Sequence, residues 1–511
     1  MKKESITSRD GANKSIWEDV LSQTNDHHTD PVDDIFDTLV IGGGITGITT
    51  ALMLQQQGQK CILAEAHNLG FGTTGGTTAH LNTFLDATYP EIDSDFSPQA
   101  SQLMASAAKD MIALIRANIE RLEIDADFEE KAAYLFSQNE QETQTLHKIL
   151  SSSLQAGVAV SEVFENGIRL PFEHVLRFEG QAQFHPLKYI LGLATEFERL
   201  GGIILENVFI EELTSRHGLH QVSTPQLNIL AKHVVYATHI PPGINLLSFR
   251  NAPYRSYVLA VRLKDGQYPA DLSYDMQEPY HYFRSHEIAG KKYLIIGGED
   301  HKTGHSDPQK AFQTLEAYAR ENFDIDTIDY QWSSQYYVPV DGLPYIGELP
   351  GGAEGIYLAT GFNGNGMILG SLSACIISDL ILGKENPYID LLSPSRIKPI
   401  AGFSEFVKEN ADVAYHFIAD RIQTPLTHSA SALNPGEGKV VSLEGEKLAI
   451  YKDAQGKIFA LNPVCSHAGC IVNWNSAEKS WDCPCHGGRF AIDGKVLTGP
   501  PRSNLRSVDL I

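Results

Sequence analysis

The chain has 511 residues and carries 63 Asp and Glu against 40 Lys and Arg, a formal net charge of −23, which argues against a nucleic-acid partner or an anionic membrane surface. That length suits two or three domains with sizeable cores. No run of about 18 apolar residues occurs and the polar first thirty-odd residues lack a signal-peptide core, so no membrane span and a cytoplasmic location are expected.

Residues 1–33 read as a flexible N-terminal arm with a short helix around Ile16–Leu21. Ile35–Ile41 reads as a buried parallel strand running into Gly42-Gly43-Gly44-Ile45-Thr46-Gly47. A helix then extends to Gln57, where Gly58 caps it, and a strand over Lys60–Ala64 ends at Glu65. This is G-x-G-x-x-G in its full strand-turn-helix-strand setting. Gly42 makes the tight turn, Gly44 lets the backbone approach a pyrophosphate at the helix N-terminus with Ile45 and Thr46, and Gly47 allows close helix–strand packing. Glu65 stands where a carboxylate takes ribose hydroxyls. A second small-residue loop, Gly70 to His80, includes Thr73, Thr74, Gly75 and Thr78.

Residues 98–122 and 138–156 read as helices, and His185-Pro186 opens an amphipathic helix to Leu200. Strands are expected at Ile203–Glu206, Val208–Leu213 and Lys232–Thr238, and from Tyr254 to about Trp332 the pattern is strand-rich. That stretch clusters aromatic, basic and acidic residues, including Arg255, His281, Tyr282 and Arg284. Each cluster also fits an ordinary solvated strand edge. A strand over Gly355–Ala359 leads into Thr360-Gly361-Phe362-Asn363-Gly364-Asn365-Gly366-Met367, the start of a helix through Leu382. A connector with an amphipathic helix around Phe403–Ile422 follows, then hairpin strands at Val440–Leu443, Lys447–Lys452 and Lys457–Leu461. Cys61 and Cys375 lie in apolar runs and read as core residues.

The C-terminal eighty residues hold the most specific signal. Cys465-Ser466-His467-Ala468-Gly469-Cys470 and Cys483-Pro484-Cys485-His486-Gly487-Gly488 offer C-x-H and C-x-x-H. Zinc sites usually begin C-x₂₋₄-C and end H-x₃₋₅-H, so this spacing suits zinc poorly. Two thiolates and two imidazoles are the ligand set of a Rieske [2Fe–2S] centre. The two loops, with Gly499-Pro500-Pro501 after them, resemble a Rieske domain. The resemblance implies iron ligation by Cys465, His467, Cys483 and His486, and a disulfide between Cys470 and Cys485. High-potential respiratory Rieske proteins place a serine and a tyrosine where this chain has Gly488 and Phe490, which implies a low reduction potential here.

Residues 34–385 resemble the FAD-dependent oxidoreductases of the glycine oxidase and D-amino-acid oxidase (DAO) family. The resemblance implies that the Gly70–His80 loop follows FAD toward the flavin ring, with Gly361, Asn363, Gly364, Gly366 and Met367 as the C-terminal FAD motif. The functional reading of the charged and aromatic clusters is that Arg255 or Arg284 holds a substrate carboxylate, which suits bidentate recognition, with Tyr282, His281 and His80 lining the pocket. The expected architecture is an α/β FAD-binding domain of Rossmann type with an α+β substrate domain, followed by a small all-β Rieske domain. In order, the expected segments are the arm at 1–33, FAD-binding 34–97, a helical insertion into the substrate domain at 98–184 and FAD-binding 185–250. The substrate domain at 251–333, FAD-binding 334–385, a connector at 386–435 and the Rieske domain at 436–511 complete it. The implied function is a dehydrogenase that oxidises an amine or amino acid and passes single electrons to an acceptor protein or a quinone-like acceptor. A flavin oxidase using oxygen, or a non-enzymatic electron carrier or redox sensor, is the alternative.

Overall fold

A computed structural model describes residues 9–18, 34–224, 228–397, 433–443 and 445–510. The connector helix expected around Phe403–Ile422 lies outside these residues, as does the end of the one expected around Ile16–Leu21.

The FAD-type sheet has the order Tyr345–Glu348, Ile356–Thr360, Asn228–Tyr236, Ile35–Ile41, Cys61–Ala64, Ile203–Leu205. All neighbours except the first pair run parallel. Its central strands are apolar on both faces because both faces are covered. Val40, Leu63 and Val235 pack beneath helices Ile45–Gln56 and Gly366–Ile381, while Leu39, Ile62 and Val234 belong to a second core on the opposite face. The expected strand over Val208–Leu213 is displaced; the strand there is Glu212–Arg216, paired with Leu219–Ser223.

The second sheet has nine strands and forms the substrate domain. Its order is Ile325–Pro339, Asn251–Leu263, Lys291–Lys302, Tyr282–Ile288, Leu272–Asp275, Glu129–Ser137, His174–Gln183, His80–Leu81, with Val160–Val163 beside His174–Gln183. Helices Pro98–Arg121 and Glu140–Gln155 match expectation. The strands Glu129–Ser137, Val160–Val163 and His174–Gln183 do not appear in the sequence reading. Glu129–Ser137 has a central apolar run too short to separate strand from helix by periodicity.

The C-terminal domain stacks a three-stranded sheet, Gly438–Leu443, Glu446–Lys452 and Ile458–Leu461, near a four-stranded one built from Asn473–Asn475, Ser480–Asp482, Arg489–Phe490 and Val496–Thr498. It has its own core around Trp481, Phe490 and the loop cysteines.

Residues 9–18, expected within a flexible arm, are packed into the interior. Trp17 is 0% exposed, its indole N–H donates to the Thr77 carbonyl, and the Arg284 guanidinium lies over its ring. The arm's polar composition hid this, because Arg9 and Asp10 are buried by pairing with Glu478 and Arg489, more than four hundred residues away.

Candidate active site and cluster site

One cavity of about 870 Å³ joins the three parts of the chain. Gly42 to Thr46, Glu65, Thr73 and Thr74 line one end, and the substrate sheet lines the other. Gly42 has φ +112, and a Cβ there would lie 2.4 Å from the Ala237 carbonyl oxygen. A Cβ on Gly47 would lie 1.8 Å from the Gly42 oxygen, so Gly47 sets the helix-to-strand approach and lies off the cavity wall. The Glu65 carboxylate accepts from the Gly43 N–H at 2.7 Å and the His67 N–H at 2.9 Å, which fixes it at the end of its strand. Burial raises its pKa, and those backbone donors offset part of the rise. The glycine turn at a helix N-terminus, with no side chain on Gly44 at the cavity wall, and the anchored carboxylate fit the nucleotide half of FAD.

Thr78, Asn363, Gly364, Gly366 and Met367 also line the cavity, whereas Gly75 and Gly361 act as close-packing turn residues off the wall. His80 and Tyr282 are on the wall. His281 is not; it pairs with Asp275 at 2.8 Å and stacks on Tyr318.

The two arginines expected to hold a carboxylate correct the sequence reading, since neither lines the cavity. Arg255 is 1% exposed, donates to Ser333 Oγ at 2.8 Å and faces Glu478 at 3.8 Å. Arg284 donates to the carbonyls of Thr78 at 2.7 Å and Ala79 at 3.0 Å. Both guanidiniums are therefore structural. Sequence clustering flagged charged strands without showing which face each side chain takes.

Sequence reasoning named Tyr282 on this wall but missed Asp86, Asp300 and Tyr336. Asp300 lines the cavity, accepts from the Tyr336 hydroxyl at 2.8 Å, and is pushed up to about 7 by burial. Asp86, whose carboxylate opens onto the cavity, accepts from the Gly364 N–H at 2.6 Å. Asp300 stood in the Glu299-Asp300-His301-Lys302 run. Its alternation with the apolar Tyr293–Gly297 stretch was the available signal.

The two C-terminal loops meet with their chemistry inward. Each closes as a turn, Cys465 N–H to the Cys470 carbonyl at 2.8 Å and Cys483 N–H to the Gly488 carbonyl at 2.8 Å. Cys470 and Cys485 form a disulfide that ties the loops together. Cys465 and Cys483 are buried free thiols, and the His467 and His486 rings lie 4.9 Å apart. All four ring nitrogens of the two histidines are buried without a hydrogen-bond partner. Burial, then His467, pushes His486 down to about 3, and burial lowers His467, so both rings are neutral as metal ligands must be. Two thiols and two orphaned neutral imidazoles fit a Rieske cluster.

The loops sit on the substrate sheet. Gln335, on the cavity wall, donates to the Gly487 carbonyl at 2.9 Å, and the Tyr337 hydroxyl donates to the His486 carbonyl at 3.2 Å. Gly487 has φ +71, and a Cβ there would lie 2.5 Å from Pro253 Cβ, so no larger residue allows this approach. Gly499, Pro501 and Arg502 complete the cavity wall from the C-terminal domain.

Comparison with known proteins agrees with both halves. Residues 37–380 match the family model of DAO, FAD dependent oxidoreductase, and residues 424–509 match that of the Rieske [2Fe-2S] domain. The chain is 33% identical over 477 residues, 93% of each chain, to YhfW of Bacillus subtilis (strain 168), described as a Rieske 2Fe-2S iron-sulfur protein. It is 22% identical over 363 residues to the gamma-glutamylputrescine oxidoreductase of Escherichia coli (strain K12), covering 68% of this chain and 84% of that one. The crystal structure of glycine oxidase from Geobacillus kaustophilus superposes with a TM-score of 0.60 at 20% identity, covering 71% of this chain and 99% of that one. The chain belongs to the DAO family of FAD-dependent oxidoreductases and carries a C-terminal Rieske [2Fe–2S] domain.

Proposed function

We propose that the protein is a dehydrogenase that oxidises the C–N bond of an amine or amino acid and delivers the electrons singly, through the cluster, to an external one-electron acceptor such as a protein or a quinone-like molecule. When bound, FAD supplies two-electron hydride acceptance and the [2Fe–2S] centre supplies one-electron transfer. Cys465 and Cys483 would hold one iron, and His467 and His486 the other. The observation that carries the reading is the continuity of the cavity wall with the cluster loops. Thr73 donates to the Gln335 carbonyl at 2.9 Å, and Gln335 in turn donates to Gly487, next to His486. These hydrogen bonds hold the loop of one redox site against the wall of the other. The tyrosine-rich sheet lines the substrate end.

An anaerobic screen of amines and amino acids tests this, with flavin and cluster absorbance followed together. A true substrate bleaches the flavin and then reduces the cluster, and in air yields little hydrogen peroxide. Stoichiometric peroxide with the cluster left oxidised would favour an oxidase. Failure of every C–N compound to bleach the flavin would favour an electron carrier.

A further inference from the structure

We propose that the substrate end of the cavity is an aromatic, anionic cage for an organic ammonium ion that bears no carboxylate beside its nitrogen, with Asp300 as the counter-charge. The proposal rests on the C–N oxidation reading and narrows its substrate class to amines.

The wall is rich in phenol rings. Tyr254, Tyr274, Tyr280, Tyr282 and Tyr336 all line it. Tyr254 and Tyr336 stack with centroids 6.0 Å apart, and Tyr280 and Tyr282 lie 5.8 Å apart at 42°. Ring faces attract ammonium groups, and the more strongly the more both are desolvated. Asp300 stands among them. Its Oδ2 accepts from the Tyr336 hydroxyl, and the carboxylate lies on the cavity wall. An ammonium ion in the cavity gains this carboxylate as its counter-charge.

Positive charge on this wall is scarce among the described residues. Arg502 is its sole Arg or Lys, and it lies on the C-terminal-domain side, donating to the Pro242 carbonyl at 2.9 Å. Burial pushes His239 down to about 4 and His80 well below the usual range, so both are neutral. Arg255 and Arg284 are committed elsewhere, as described above. An α-carboxylate would therefore meet Asp300 and Asp86 with no guanidinium to pair with. Like charges in a low-dielectric site cost far more than in water.

The charge state of Asp300 sets the pH dependence. Tyr280, Tyr282, Tyr336, Asp86 and His281 face it from the elements around it. Burial raises it most, Asp86 adds to the rise, and Ser256, Tyr336 and His281 offset part. With its pKa near 7, Asp300 is ionised above that pH and protonated below. Cation affinity is therefore full at alkaline pH and falls as the pH drops through about 7.

The test titrates the oxidised, fully loaded protein without oxygen, using calorimetry and the flavin difference spectrum. The probes are choline, its uncharged carbon isostere 3,3-dimethyl-1-butanol, and benzoate. We expect choline to bind at least about tenfold more tightly than the isostere at pH 8 and benzoate to bind most weakly. The advantage should shrink at pH 6, and Asp300→Asn should abolish it. Equal affinity for the two isosteres, tighter binding of benzoate, or no binding of choline would each overturn the cage. The wild-type isostere comparison keeps the test decisive if Asp300→Asn misfolds. Binding is read separately from turnover. Amino acids that bleach the flavin while choline fails to bind would sink the cage alone, and cation binding without bleaching by any C–N compound would sink the dehydrogenase alone.

Discussion

Gly488 and Phe490 show how single residues tune the cluster site. A Cβ on Gly488 would lie 2.6 Å from Pro501 Cγ and 2.8 Å from Cδ, so a serine there must push the proline loop aside. Phe490 is fully buried in the C-terminal core and lacks the hydroxyl that high-potential Rieske proteins direct at a cysteine sulfur. Hydrogen bonds to cluster sulfurs stabilise the reduced, more negative state and raise the potential. The wild-type midpoint should therefore lie in the lower part of the Rieske range of roughly −150 to +300 mV. Phe490→Tyr should raise it by on the order of 50 mV, about 1 kcal/mol for a one-electron couple. Voltammetry on the intact protein checks both values. An unchanged midpoint in a variant with an intact cluster would show that the new hydroxyl does not reach sulfur.

At the scale of elements, the segment at 9–18 acts as an internal strap. Asp10 N–H donates to the Phe71 carbonyl at 3.2 Å, and Ala12 N–H to the Glu478 carbonyl at 3.1 Å, so ten residues touch the FAD-type domain and the Rieske domain together. Trp17 anchors the strap, edge-on to His185 and His286 with centroids 5.0 Å away in each case. Removing a buried indole costs about 3–5 kcal/mol. Trp17→Ala should lower stability by that order in chemical denaturation. A loss below about 1 kcal/mol, the level of a surface substitution, would show that the strap is dispensable.

Across the whole molecule, buried charge holds the domains together. Arg489 of the Rieske domain pairs with Asp10 at 2.7 Å and with Asp482 at 3.1 Å. Glu478 accepts from Ser333 N–H at 2.9 Å and faces Arg9 at 3.7 Å and Arg255 at 3.8 Å. Burial by itself would raise Asp10 and Asp482, but Arg489 and its arginine neighbours outweigh it and hold both below 3.8. Because the folded values are depressed, the stabilisation is fully present above the unfolded carboxylate range of about 4 and disappears as the pH falls through the folded values. Arg489→Met takes the ion-pair partner from buried Asp482 and leaves buried Asp10 with Arg9 alone. It should cost about 3–5 kcal/mol at neutral pH and move acid unfolding to higher pH, because the unpaired carboxyls then titrate above their normal range. Calorimetry across pH 3–8 measures both effects. A variant as stable as wild type at pH 7 would rule out the network as the domain lock.

The sequence by itself determined what local spacing can encode. The turn at Gly42–Gly47 and the Cys-x-His and Cys-x-x-His loops each need a few residues at fixed offsets. Their backbone geometry and donor sets follow from those offsets, and the family resemblances they carry implied the two cofactors. The central strands and main helices were legible for a similar reason, since burial on two faces or one writes its own period. What only the tertiary structure decided depends on which distant residues meet. Arg255 and Arg284 look like anion anchors in a linear string, yet long-range pairing turns both away from the cavity and gives its wall to tyrosines and Asp300. The polar composition of residues 9–18 suggested an arm, because a charge reads as solvated until its buried partner is known. Arg489, Glu478 and Ser333 supply those partners, and they come from two other domains.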